Sequence, residues 1–276
     1  MGFTIVHPNQ LQVVDMPVLA ADIIYTGSIV SDCVTTAATP LEGVSPIGAA
    51  RGAADTTNKT IPYGVVIGNN NVSGNIQSSS TYKTEYITQV ATSGVWGSTT
   101  QYEGVEGPWV KGDKQAMVKV ALIGPETILR GNIYNAAVGT APTLLTATTG
   151  CGGDGIGMTT NALGIANVAN FGTVYMRTGA NAGIYRTTTS TSQTAHTWLM
   201  GMPGTIEIGD TAIITPGLRT HGHCRMQLDA EALYINVGAA LTSYYSIVVV
   251  RLDLSEAGKE YVEFRFGGDH FSAMRT

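Results

Sequence analysis

With 276 residues, the chain is long enough for one large or two small domains with a buried core. Charged residues make up 13% against an apolar share of 43%, which excludes a disordered chain; 34 glycines and abundant threonine favour short strands and tight turns. A formal net charge of −5 argues against phosphate-backbone binding as the main task, although a local basic patch stays open.

Residues 1–17 read as an arm, with apolar Phe3, Ile5 and Val13-Val14 punctuated by Pro8 and Pro17. Such an arm docks on its own core or reaches a neighbour, and the sequence leaves both open. The first residues carry neither a basic stretch nor a long apolar core, so they are not read as a signal peptide, and Val6 stands where a myristoylation motif needs Ser or Thr. No run of about 18 apolar residues occurs, so no membrane-spanning segment is expected. Cys33, Cys151 and Cys224 are too few and too far apart for a disulfide framework and suit assembly in a reducing cytoplasm.

Residues 18–124 form a first expected β-rich domain. Ile23 to Val30 is strand-like, Pro40 to Gly48 reads as loop, and Ile61 to Gly68 is a buried-strand run stopped by Asn69-Asn70-Asn71. Asn58-Lys59-Thr60 and Asn71-Val72-Ser73 match glycosylation sequons, read as chance matches without a secretion signal. Thr81 to Val90 is a polar strand, and Gln115 to Ile123 an apolar one. Between them, the Gly-rich loop 91–113 carries Trp96, Tyr102 and Trp109 among few charges. Aromatic loop residues of this kind anchor interfaces or cover a sheet end of their own chain. With Phe3 and Ile5 of the arm, these three are the candidate interface residues.

Residues 125–276 form a second β-rich domain. Ile128 to Tyr134 echoes Ile23 to Val30, a weak hint of internal repetition. In Thr178-Gly179-Ala180-Asn181-Ala182-Gly183, the glycines and Asn181 take positive φ cheaply, so the chain reverses. A Ser/Thr run follows, then His196 to Met200, then Thr205 to Asp210 as an alternating strand ending in a Gly-Asp turn. Residues 175–217 together read as a compact β-meander. From Cys224 to Glu231 the pattern alternates strictly, with a phase slip near Ala232-Leu233 that reads as a bulge. Tyr244 to Leu254, the turn Glu256 to Lys259 and Tyr261 to Phe266 make a C-terminal hairpin. The expected fold is all-β: barrel or sandwich units with Gly/Thr-rich loops.

Candidates for chemistry are few. His221 and His223 would share one face of a strand, a two-ligand arrangement, but Cys224 points to the other face and no fourth ligand is near in sequence, so no metal is expected. Gly150 to Gly157 resembles a phosphate loop without its Gly-Lys-Ser/Thr, and Gly43 to Gly48 has one residue too many for a nucleophile elbow. Acidic residues are scattered singly. Neither a cofactor nor an enzyme activity is expected.

The turn Gly179 to Arg186, the Thr/Ser run and Ile208-Gly209-Asp210-Thr211 come in an order that resembles a module of virion proteins encoded in the head genes of tailed bacteriophages, over residues 175–214. The resemblance implies a particle component. The expectation that follows is a capsid decoration or cement protein on the virion exterior, assembled in the host cytoplasm. Its partners would be the major capsid protein and copies of itself, a trimer before a dimer. A major capsid or tail-tube protein is the alternative within virions, and a carbohydrate-binding β-module the alternative outside them. The long amphipathic helix of an HK97-type capsid protein is not evident.

Overall fold

The computed structural model describes residues 2–7, 11–18, 22–34, 42–48, 61–69, 76–78, 85–88, 117–134, 144–150, 155–161, 172–192, 194–237 and 244–272. The protein is all-β, with one short helix, α1 (Asp269–Ser272), among the described residues. The chain divides into two units. The first comprises Met1–Leu129, Ala230–Tyr234 and Gly267–Thr276; the second comprises Arg130–Asp229 and Ile235–Phe266. Two late segments thus belong with the N-terminal unit, a discontinuity that a linear division at residue 124 does not contain.

The first unit holds β1 (Thr4–Ile5), β2 (Val13–Pro17), β3 (Ile23–Tyr25), β4 (Ile29–Val34), β5 (Glu42–Pro46), β6 (Gly64–Asn69), β7 (Ile76–Ser78), β8 (Glu85–Thr88) and β9 (Met117–Leu122). Five of them form an antiparallel sheet in the order β2-β9-β6-β4-β5. Just past β2, Val18 pairs in parallel with Val44 of β5, so the sheet curls until its two ends meet. Alternate residues turn inward, as the strand period demands. Met16, Val18, Val30, Val44, Val66, Val118 and Val120 fill the interior with Ile24, while Lys119 points outward to Asp15 at 3.1 Å. A smaller sheet has the order β3-β8-β7.

Two expectations fail here. Glu42–Pro46 is a strand, not loop: Gly43, Ser45 and Pro46 have poor strand propensity, but β5 lies at the end of the sheet order and takes its conformation from β4. Ile23 to Val30 is two strands, because the chain turns at Thr26-Gly27, where Gly27 has φ of +94°. Its echo, Ile128 to Tyr134, runs on as the single strand β10 (Leu129–Tyr134), so the two stretches are not a structural repeat.

The second unit continues with β11 (Leu144–Thr149), β12 (Gly157–Thr160), β13 (Thr173–Met176), β14 (Tyr185–Thr191), β15 (Ala195–Trp198), β16 (Thr211–Thr215), β17 (Gly222–Met226), β18 (Ile235–Asn236), β19 (Tyr245–Asp253) and β20 (Tyr261–Phe266). Six strands close a barrel in the order β11-β12-β15-β14-β13-β16, with β16 pairing back to β11. Hairpins join β13, β14 and β15, and β16 returns to lie beside β13, a Greek key. Leu145, Ala147, Met158, Val174, Met176, Trp198, Ala212 and Ile214 make the barrel core, joined by Met202 and Ile206 from one connection. Each large side chain buried this way contributes about 1.5–3 kcal/mol.

The other sheet of this unit runs β10-β20-β19-β17, with β18 parallel to β10. The expected C-terminal hairpin is β19 and β20; Val262, Phe264 and Phe266 are buried together with Tyr245, Ile247 and Val249. A register shift between Val249 and Arg251 leaves Val250 and Arg251 both exposed. The phase slip expected near Ala232 is a turn and not a bulge: Ala232 takes φ of +51°, and Ile235 comes back to pair with Leu228.

A candidate interaction surface at one end of the barrel

Strands β11, β13 and β15 end, and β12, β14 and β16 begin, at the same end of the barrel. The connections 177–184 and 199–210 therefore cluster there, with the described ends of a third at Gly150 and at Gly155-Ile156. The first two lie within residues 175–214.

The 177–184 turn forms as its glycines dictate, with φ of +79° at Gly179 and +87° at Gly183. Asn181 is fully buried and faces the neighbouring connection. Its Nδ2 donates to the carbonyls of Gly204 (2.9 Å) and Thr205 (3.3 Å), and its Oδ1 accepts the Gly204 N–H at 2.8 Å. Gly179 lies so close to Asp210 that a Cβ there would collide with the Asp210 carboxylate. That carboxylate accepts the Glu207 N–H, while the Asp210 N–H donates to the Glu207 carbonyl and Gly209 takes φ of +95°. Arg186 Nε donates to the Gly201 carbonyl at 3.1 Å. The Trp198 indole N–H and the Met202 N–H both donate to the Gly155 carbonyl. Beneath the turn, Arg177 and Glu260 form a buried ion pair at 2.6 Å. The Tyr185 hydroxyl accepts the Leu254 N–H, and burial raises its pKa above the ordinary tyrosine value.

These bonds explain why Thr205 to Asp210 is not the expected strand. Ile206 and Ile208 alternate correctly, but Asn181 takes up the backbone before them and the turn closed by Asp210 ends the run; β16 starts one residue later. Ile206 drops into the barrel core and Ile208 is left 74% exposed. Leu199 and Met200, read as the end of an apolar run, follow the end of β15 at Trp198 and are 64% and 67% exposed. Ile156, on the adjoining connection, is exposed too. The end of the barrel thus holds several large apolar side chains in water on loops whose backbones are fastened by side-chain clamps. Exposed apolar groups on a fixed scaffold are suited to docking, because little backbone ordering cost remains to be met on contact.

Inside the barrel, His196 and Thr160 form a buried polar pair. Thr160 Oγ1 donates to the Asn161 carbonyl (2.8 Å), so its contact with His196 Nε2 (2.8 Å) is one in which the ring donates. The neutral Nε2–H tautomer follows, and Nδ1 is buried without a hydrogen-bond partner. Burial pushes the imidazole down to about 4.

The residues singled out from sequence lie elsewhere. Trp96, Tyr102 and Trp109 fall outside the described residues. Phe3 is 2% exposed in its own unit, donating its N–H to the Gly27 carbonyl, and Gly2 packs against Gly27 too closely to admit a Cβ. Ile5 is half-buried and lines, with Phe3, Leu11 and Val65 to Ile67, a groove of about 360 Å³. The described residues Gly2 and Phe3 are therefore packed on Gly27 of their own unit. His221 and His223 are exposed, and Cys224, free and buried, accepts the Arg219 N–H on the other side of β17. Leu199, Met200, Ile208 and Ile156 were not singled out from sequence; the signal was an apolar pair next to Gly201 and an isoleucine set between Glu207 and Gly209. No protein-family model, curated protein or solved structure matches this chain.

Proposed function

We propose that this protein is a structural adhesive: a decoration or cement protein that binds the outside of a tailed-phage head where capsid subunits meet. The observation that carries the reading is the clamped barrel end, built largely from the segment that resembles phage virion proteins and tipped by Leu199, Met200 and Ile208. The contact is apolar and hydrogen-bonded, and copies of the chain engage several seams at once, as a trimer on symmetric junctions.

The test is add-back. Heads lacking the protein are mixed with wild-type chain or with the double variant Leu199→Ser, Met200→Ser. The wild type binds mature shells saturably, persists at about 1 M salt because screening leaves apolar contact intact, and raises the rupture temperature. The variant folds but binds at least about tenfold more weakly, the equivalent of ~1.4 kcal/mol. Equal binding by the variant refutes the assigned surface. Failure of shells to assemble without the chain makes it the shell-building protein and overturns the cement reading.

A further inference from the structure

The sheet β10-β20-β19-β17 has a second, chemically different face, opposite Val262, Phe264 and Phe266. Register and burial place Arg130, Tyr261, Glu263, Arg265, Arg251, Asp253, Ser246, Arg225 and His223 on it. Four arginines and a histidine thus face two carboxylates, in a chain whose net charge is −5. Basic groups are concentrated here against the trend of the whole molecule.

The arginines are held in position. The Arg130 guanidinium lies 4.5 Å from the centre of the Tyr261 ring and bonds to Glu263. Arg251 approaches the same ring at 5.6 Å and bonds to Asp253, whose carboxyl is held below its ordinary range by the Ser255 hydroxyl first and by Arg251 in addition. Arg225 lies over Tyr244 at 4.5 Å, and no described residue accepts a hydrogen bond from its guanidinium. Arg219 caps the His223 carbonyl on β17. A stacked guanidinium keeps its N–H edge free for a bidentate acceptor, and Arg with Tyr is the pairing enriched where proteins bind proteins.

We propose that this face is a second docking surface, one that takes a carboxylate-rich surface of a partner protein. Carboxylates fit better than a nucleic-acid backbone for two reasons. Glu263 and Asp253 interrupt the positive field, so the face shows alternating sign. The excess of positive charge is also far below the ~6–10 phosphate contacts that give nucleic-acid binders their affinity. The inference does not rest on the shell reading: it concerns another face and predicts the opposite response to salt.

The experiment uses the full chain and an immobilised Glu-rich peptide of about 20 residues, at about 50 and 300 mM salt, because exposed charge pairs are screened over that range. Three variants are compared: Arg225→Glu, Arg225→Gln and the barrel-end pair Leu199→Ser, Met200→Ser. A duplex DNA of matched charge serves as the second probe. The expected result is binding that weakens at least about tenfold between the two salts, falls further in Arg225→Gln, is lost in Arg225→Glu and is unchanged in the barrel-end variant. Unfolding midpoints within a degree or two of wild type establish that Arg225→Glu is folded; if it is not, Arg225→Gln decides. No binding at low salt, binding indifferent to Arg225, or equal affinity for the DNA overturns the proposal.

Discussion

His196 should make the barrel sensitive to acid in a measurable way. In the native state its Nε2–H is used by Thr160 and its Nδ1 faces no acceptor, so a second proton would place a charge and an unmatched donor in the interior. Burial therefore holds the ring at about 4, against 6.5 for an ordinary histidine. Between those values the unfolded chain binds a proton that the folded chain does not. Stability from this residue is complete above pH 6.5, declines as pH falls and is gone below about 4. The span corresponds to about 3 kcal/mol; because Ala195 and Thr197 on the same strand are exposed, one sheet separates the ring from water, and screening trims the figure to roughly 2 kcal/mol. The assay is urea unfolding at several pH values between 7 and 4, for wild type and His196→Gln. Carboxylates titrate in both proteins, so the quantity of interest is the gap between them. It should narrow by roughly 2 kcal/mol across the range as the wild type loses its advantage. A gap that stays constant with pH refutes the buried-neutral assignment, as does a nitrogen NMR spectrum showing the proton on Nδ1.

Asn181→Ala should cost about 2–3 kcal/mol, since it strands the Gly204 N–H and carbonyl, and hydrogen exchange should quicken through 199–210 before the rest of the barrel. Gly179→Ala should lower the unfolding midpoint by the equivalent of more than ~1 kcal/mol, because it adds both a positive-φ strain and a collision with the Asp210 carboxylate; an unchanged midpoint would count against the packing described. Glu260→Ala should be among the most damaging single changes, about 3–5 kcal/mol by calorimetry, because it leaves the Arg177 guanidinium buried and unpaired, and replacing both partners with apolar residues should recover much of the loss.

The parts of this architecture visible in the sequence are those set by neighbours along the chain. The β19–β20 hairpin follows from the alternation of Val262, Phe264 and Phe266 and a Gly258 turn; the reversal at 178–183 follows from Gly179 and Gly183. What was invisible is set by partners far away. Closure of the barrel depends on Leu144 to Thr146 meeting Thr211 to Ile213, a register no local pattern encodes. Ile206 and Ile208 imitate a strand, and only the remote Asn181 side chain and the turn at Asp210 make them loop. The candidate surface was hidden for the same reason: Leu199 and Met200 look like core until β15 is seen to stop at Trp198. Conversely Gly43, Ser45 and Pro46 look like loop until β4 is laid beside them.

If the proposed shell binding holds, the form of the barrel end bears on how strongly one copy can attach. Specific interfaces need roughly 800 Å² from each partner, and the exposed large apolar side chains described at this end are Leu199, Met200, Ile208 and Ile156. Rigidity partly compensates, since a backbone already fastened forgoes the ordering cost that a mobile loop meets on docking, although the exposed side chains still lose their own rotamer freedom. It cannot replace area. Under the shell-binding reading, the missing affinity must come from linked copies, where the second and third contacts form at the high effective concentration set by the first. Oligomerisation and adhesion are then one property: a variant that remains monomeric while keeping Leu199, Met200 and Ile208 intact should bind mature shells no better than the wild-type oligomer binds isolated capsomers. Tight shell binding by such a monomer would mean that one copy buries far more surface than the barrel end offers, and the contact would have to be sought elsewhere on the chain.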